Sequence, residues 1–332
     1  MKSVEPTHRT DARAAHNGEP YTAVLPSDSL RRLSWLLKSQ GRQYRKQLRR
    51  CQKKFSEKAV HDSRVAARRL ISVVELLAPF LPLARVKKIG RLLKQHLDTF
   101  DELRDTQVQL LTLRRLERSF SSARSFKGYL KKREERLART TRKEVKKLRT
   151  GRFGKLIESC REEVEAARRR YPAKAAGQLL LAAVERAFSR TQQLKERIDP
   201  RDTKTIHCTR VAFKNFRYMM ETLAHFVPSL TPVRLREMHG YQTLMGDVQD
   251  AEVLLRAFDK YRSKKELEAS SARTLLQALL RRRQDLVHKF LRSANSLEKF
   301  WPDRAGRAAV LVTRPRMQKA GLAAKGANPA TN

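Results

Sequence analysis

The chain has 332 residues, enough for one duplicated domain or about two ordinary ones, and its 40% hydrophobic content suffices for a real core. Lys and Arg number 74 against 34 Asp and Glu, a formal net charge of +40. That excludes an ordinary mixed-sign surface and implies a polyanionic partner: nucleic acid, an anionic membrane or inorganic polyphosphate.

In chain order, residues 1–27 are polar, carry Pro6, Pro20 and Pro26, and read as a flexible N-terminal tail. From there to residue 301 nearly everything reads as helix, because Gly and Pro are sparse and apolar residues recur at spacings of three and four. The pattern predicts helices over 28–53, 57–80, 84–117 and 121–149 in a first half (28–150). Helices over 175–199, 203–226, 231–260 and 265–299 follow in a second (175–301). Ser27-Asp28 and Asp202-Thr203 are the expected N-caps, and Pro79, Pro82, Pro172, Pro200, Pro228 and Pro232 punctuate the ends. Residues 151–174, with Gly151, Gly154 and Pro172, read as a linker between the halves, and 302–332 as a basic flexible C-terminal tail. The expected fold is all-α: two similar four-helix bundles side by side. Cys51, Cys160 and Cys208 are odd in number and widely spaced, which points to a reducing compartment. No apolar signal core and no run of 18 apolar residues occurs, so a soluble cytoplasmic protein without membrane attachment is expected.

The two halves carry a common motif. His61-Asp62-Ser63-Arg64-Val65-Ala66-Ala67-Arg68 returns 146 positions later as His207-Cys208-Thr209-Arg210-Val211-Ala212-Phe213-Lys214. The match continues through Glu75 and Glu221, Leu77 and Leu223, Phe80 and Phe226, and Pro82 and Pro228. At about 100° per residue, His61, Arg64 and Arg68 share one narrow helix face, opposite Ala67, Leu70, Val73, Val74 and Leu77. In the second copy His207, Arg210, Lys214 and Arg217 oppose Phe213, Phe216, Met219, Met220 and Leu223, while Arg69 flanks the first stripe. Basic residues are common here, but histidine occurs only 8 times, so its recurrence at one place in both halves is not compositional. A basic stripe presented twice suits a repeating anion. A shorter match, Asp101–Val108 with Gly246–Val253, shares Asp105/Asp250 and Val108/Val253, with Gln249 in the place of Arg104. A carboxylate beside basic helices is read as a partner that orients an arginine rather than as a catalytic acid.

These segments, His61–Leu77, His207–Leu223, Arg104-Asp105 and Gln249-Asp250, resemble the CHAD domain, the conserved histidine α-helical domain, over about residues 28–300. The resemblance implies two four-helix bundles related by a pseudo-twofold axis and a basic channel or cavity that binds inorganic polyphosphate. It also implies association with polyphosphate granules, where other granule-associated proteins are further candidate partners. The Glu-x-Glu-x-Lys motif of the triphosphate tunnel domain fused to some members is absent, so a stand-alone, phosin-like protein is expected. Carried over, the binding residues are His61, Arg64, Arg68 and Arg69, and His207, Arg210, Lys214 and Arg217. Asn215 stands where a basic residue is common. Arg42, Arg45 and Arg49 on the first helix, Arg91, Lys94 and Arg104, and Arg186 and Arg190 are further candidates for the same channel.

Arginine forks onto phosphate oxygens, lysine supplies a mobile charge, and histidine near phosphates favours its protonated form. Binding that weakens with salt and tightens as pH falls from about 7 toward 6 is therefore expected. A nucleic-acid binder is the alternative. Aromatics are only 7% and lie mostly on apolar faces, which disfavours base stacking. A phosphohydrolase is the least favoured reading. His61-Asp62 is not repeated in His207-Cys208, and neither a P-loop nor a carboxylate cluster suited to a metal pair occurs. No catalytic residue, metal or cofactor is expected.

Overall fold

The computed structural model describes residues 25–301 apart from 117–119, 226, 228–229 and 265–268. Residues 1–24, 302–332 and the Phe226 and Pro228 matches of the repeat lie outside the described residues, whereas Leu25, placed in the tail by sequence, is buried in the core. Among those described, the chain is all helix: α1 (Ser29–Lys53), α2 (Glu57–Leu76), α3 (Leu83–Asp98), α4 (Asp101–Leu116), α5 (Ser121–Lys147), α6 (Gly151–Arg170), α7 (Ala173–Glu196), α8 (Thr203–Leu223), α9 (Pro232–Arg262) and α10 (Ala269–Ser293). Short 3-10 turns cover Ala78–Phe80 and Ala294–Phe300. None is long and apolar enough to cross a membrane.

Three predicted features change. The helix expected over 84–117 breaks at Thr99-Phe100. There Thr99 Oγ1 and the Phe100 amide turn back onto the carbonyls of Gln95 and Leu97, at 3.0 Å each. The equivalent stretch of the second half runs unbroken as the 31-residue α9. The expected linker over 151–174 is mostly the 20-residue α6, because Phe153, Ile157, Cys160, Val164 and Ala167 recur at three and four residues and bury one face. Asp28 precedes α1 but does not cap it, since its carboxylate is taken by Arg31 and Arg32 at 3.1 and 2.8 Å. Asp202 does cap α8, accepting from the Lys204 amide at 3.0 Å, and Ser56 caps α2, accepting from the Ala59 amide.

The helix pairings recur between the halves. α1 packs on α2 as α7 does on α8, α2 on α3 as α8 on α9, and α4 on α5 as α9 on α10. The apolar cores do not follow the halves, however. The larger runs through α1, α2, α3, α6, α7 and α8 and takes in Tyr241 and Met245 of α9 and Phe290 of α10, with Leu37, Leu70, Phe213 and Phe216 inside. The smaller is shared by α4 and α5 of the first half with α9 and α10 of the second, around Phe126, Leu130 and Phe258. Burial of α2 and α8 on their apolar faces, and their contact with each other, sets the two motif helices side by side at the centre of the molecule.

Candidate functional site

The α2–α8 seam follows from local sequence. In α2 the faces carrying Ala67, Leu70, Val73 and Val74 are buried, and in α8 those carrying Phe213, Phe216, Met219 and Met220. Each helix therefore turns its basic stripe toward one shared region. Arg64, Arg68, Arg210 and Lys214 lie within electrostatic reach of one another, with Arg217 close to Lys214.

These cations differ in how they are held. Arg64, 7% exposed, donates through Nη1 to the Leu97 carbonyl at 2.9 Å and pairs with Asp101 at 2.8 Å. The break between α3 and α4 creates both partners, a helix-end carbonyl with a lone pair to spare beside its bond from the Phe100 amide and an acidic first turn. Arg217, 5% exposed, pairs with Glu221, donates to the Gln242 side-chain oxygen at 2.9 Å and lies over the Tyr218 ring at 4.4 Å. Both guanidinium groups are thus committed to the fold.

Arg68, Arg210 and Lys214 are half-buried, and among the described residues no carboxylate lies within ion-pair distance of them. The Arg210 Nε is buried without a hydrogen bond. Its guanidinium lies over Gly246 of α9, where an added Cβ would sit 3.4 Å from Nε. Gly246 aligns with Asp101, so the carboxylate that holds Arg64 in the first half has no counterpart in the second. Burial pushes Lys214 down to about 6, reinforced by Arg68, Arg210 and Arg64. Burial, with Arg64 beside it, pushes Arg68 down to about 10, and burial also lowers Arg210. Crowded, half-desolvated like charges of this kind are costly unless an anion joins them.

Carboxylates form a second layer. Burial raises Asp250 to about 6 and also raises Asp105, while Arg210 opposes both shifts. These two shared acids feel the arginines electrostatically, but among the described residues neither is at ion-pair distance from any of them. The one bonded to Arg64 is instead Asp101, which sequence reasoning passed over. Its only signal was its place in the first turn after a helix break that the periodicity concealed. Glu75, raised to about 7 by burial, accepts from Asn215 across the seam. Asn215 thus fills its position with a neutral donor for a neighbouring acid.

The histidines part company. His207 is half-buried, and burial, then Arg210 and Lys214, pull it below its ordinary range, against the hydrogen bond it donates to the Gln249 side chain. His61 sits exposed near the start of α2 and makes no hydrogen bond among the described residues. Arg69, exposed, lines a cavity of about 570 Å³ bordered by both α2 and α8, which Leu36, Gln40, Tyr218, Glu221 and His225 also line. Arg104 is tied to Glu57 at 3.2 Å but remains within reach of Asp250. Arg42, Arg45 and Arg49 line a different cavity, on α1 alone. Arg91 and Lys94 on α3, and Arg186 and Arg190 on α7, are exposed, and nothing brings them to the seam. No group of three or more His, Cys, Asp or Glu residues able to hold a metal ion occurs among the described residues.

With this geometry in view, the CHAD domain family model matches residues 36–259, a span containing both motif helices, the broken α3–α4 pair and α9. The chain belongs to the CHAD domain family. The crystal structure of the CHAD domain from the plant Ricinus communis is similar at a TM-score of 0.55 and 18% identity, covering 92% of this chain and 97% of that one. PptA from Streptomyces chartreusis is similar at 0.56 and 16% identity, covering 82% and 98%. At such identities these two likenesses establish the fold. No curated protein matches the sequence significantly. In this CHAD domain, the repeated histidine motif that names the family lies on the two helices of the basic seam.

Proposed function

We propose that this CHAD protein binds inorganic polyphosphate along the α2–α8 seam and associates through it with polyphosphate granules in the cytoplasm, as a binding protein rather than an enzyme. The observation that carries the reading is the group of Arg68, Arg210 and Lys214. These are three mutually repelling, half-buried cations with no carboxylate at ion-pair distance among the described residues, Asp105 and Asp250 acting on Arg210 only from farther off, on the two helices that carry the repeated motif. A chain of phosphates supplies closely spaced negative oxygens that the arginines can fork onto and that restore the lysine's charge. Arg64 and Arg217 hold the walls rather than meeting the ligand first, and His207 adds a donor at one end. Binding gains from counterion release and weakens steeply with salt. The aromatic ring within reach of the seam arginines, Tyr218, is only 9% exposed and already lies under Arg217, which leaves bases little to stack on.

The test is binding of long-chain polyphosphate against charge-matched single-stranded DNA at physiological salt, for wild type and an Arg68/Arg210/Lys214 glutamine variant. Polyphosphate-selective binding that the variant loses is the expected result. Equal binding of both polymers, unchanged in the variant, would make the +40 charge a diffuse patch and end the proposal.

A further inference from the structure

We propose that the outer face of α1 is a second polyanion groove, distinct from the seam, and that a single long polyphosphate chain occupies both. The inference rests on the polyphosphate reading above and extends it to chain length.

A cavity of about 590 Å³ lies on α1 and is lined wholly by seven cations between Arg42 and Lys54. The helical rise spaces its ends by roughly 18 Å. Arg42 and Lys46, Arg45 and Arg49, Lys46 and Arg50, Arg49 and Lys53, and Arg50 and Lys54 are each four residues apart, and like charges at that spacing destabilise a helix. Cations in a last turn are favourable, and that accounts for Arg50, Lys53 and Lys54. It does not account for Arg42, Arg45, Lys46 and Arg49, which stand in the helix interior. Among the described residues, only Arg50 of the seven meets a carboxylate, that of Asp62 at 3.9 Å, which Lys58 also approaches.

The groove is also built into the packing. Arg45 is half-buried, its Nε has no hydrogen bond, and its guanidinium fits over Gly154 of α6, where any Cβ would lie 2.7 Å from Nη1. The helix α6, seated on α1, thus keeps an unpaired arginine in place. The Arg50–Asp62 contact joins this face to the start of α2, beside His61 and less than one turn before Arg64. A polymer leaving the seam at the His61 end meets the groove next. Two sites on one flexible chain gain avidity through effective concentration, and a ligand too short to span them gains none.

The experiment compares tripolyphosphate with long-chain polyphosphate at one physiological salt concentration. It uses wild type, a groove variant (Arg42→Gln, Lys46→Gln, Arg49→Gln, all exposed), a seam variant (Arg210→Gln, Lys214→Gln) and a control (Lys87→Gln, Lys88→Gln, Lys131→Gln) with the same charge change on exposed positions of α3 and α5. Circular dichroism confirms that each is folded. The groove variant should lose at least ~10-fold in affinity for the long chain and less than ~2-fold for tripolyphosphate, with a shallower salt dependence, while the control changes both by less than ~2-fold. Equal losses for both ligands, a long-chain affinity that does not change, or a control that loses as much as the groove variant would overturn the groove. Wild type that fails to bind either polymer would instead overturn the polyphosphate reading itself.

Discussion

The two motif helices began from one pattern and now differ in how their first arginine is treated. On α2, Arg64 is bonded to the Leu97 carbonyl and paired with Asp101. On α8, the equivalent Arg210 rests on Gly246, with an unbonded Nε and, among the described residues, no carboxylate at ion-pair distance. The cause lies in the neighbouring element. A break between α3 and α4 presents a carbonyl and an acid, whereas the unbroken α9 passes a glycine under the guanidinium. A duplicated site can thus divide its labour, one copy fixing the scaffold and the other kept available for anions.

The widest predicted gap between the copies is in ligand affinity. Arg210→Gln with Lys214→Gln should weaken polyphosphate binding by ~100-fold or more, since each lost charge-assisted contact is worth roughly 1.5–3 kcal/mol. Arg64→Gln should act mainly on the fold, lowering stability by about 1–3 kcal/mol in denaturant titration through its lost buried partners, with a smaller effect on binding. Equal binding losses for the two changes would erase the distinction. Next in size, Gly246→Asp would give Arg210 the partner that Asp101 gives Arg64. It should weaken polyphosphate about tenfold while leaving the thermal midpoint of the free protein equal or higher.

The pH response sharpens the same comparison. In the free protein Lys214 holds its proton only below about pH 6, against an ordinary 10.5. Beside phosphates its charge is restored, so binding takes up a proton throughout that window. Affinity should therefore fall as pH rises above 6, approaching ~10-fold per pH unit, and calorimetry in buffers of different ionisation enthalpy should register the uptake. His207, already pulled below its ordinary range, contributes only at the acid end, so lysine rather than histidine dominates the response near neutrality. The same shift has a stability counterpart. An unfolded chain binds the Lys214 proton up to about pH 10.5 and the folded one does not, so this group costs stability below that pH and the free fold strengthens as pH rises from 6 toward 10. The smallest predicted effect is that Lys214→Met raises the thermal midpoint of the free protein by a few degrees at pH 7 while weakening polyphosphate binding.

Much of this was legible in the residues. Local periodicity is a property of the chain, so the all-α fold, the buried faces of α2 and α8 and the basic stripes opposite them could be read directly from Leu70, Val73, Phe213 and Phe216 against Arg64, Arg68, Arg210 and Lys214. The recurrence of His61 and His207 marked the two helices that pack against each other as α2 and α8, and the family match over residues 36–259 covers both. Glycine misled the reading at 151–174. Gly151 and Gly154 suggested a linker, but Gly154 serves to admit the Arg45 guanidinium on α6.

What the sequence could not specify is which charges are neutralised. That depends on atoms brought together from distant positions: Asp101 on Arg64, Glu221 and Gln242 on Arg217, Gly246 under Arg210. Arg69 and Arg68 are neighbours in the chain, yet Arg69 lines a cavity with Tyr218 and Glu221 while Arg68 lies among Arg64, Arg210 and Lys214, because adjacent helical positions point about 100° apart. The sequence by itself determined where helices form and which faces are basic, since both follow from near-neighbour spacing. Only the tertiary structure decided which cations are paired and which remain for an anion, since ion pairing and desolvation are set by distances of a few ångströms between segments far apart in the chain.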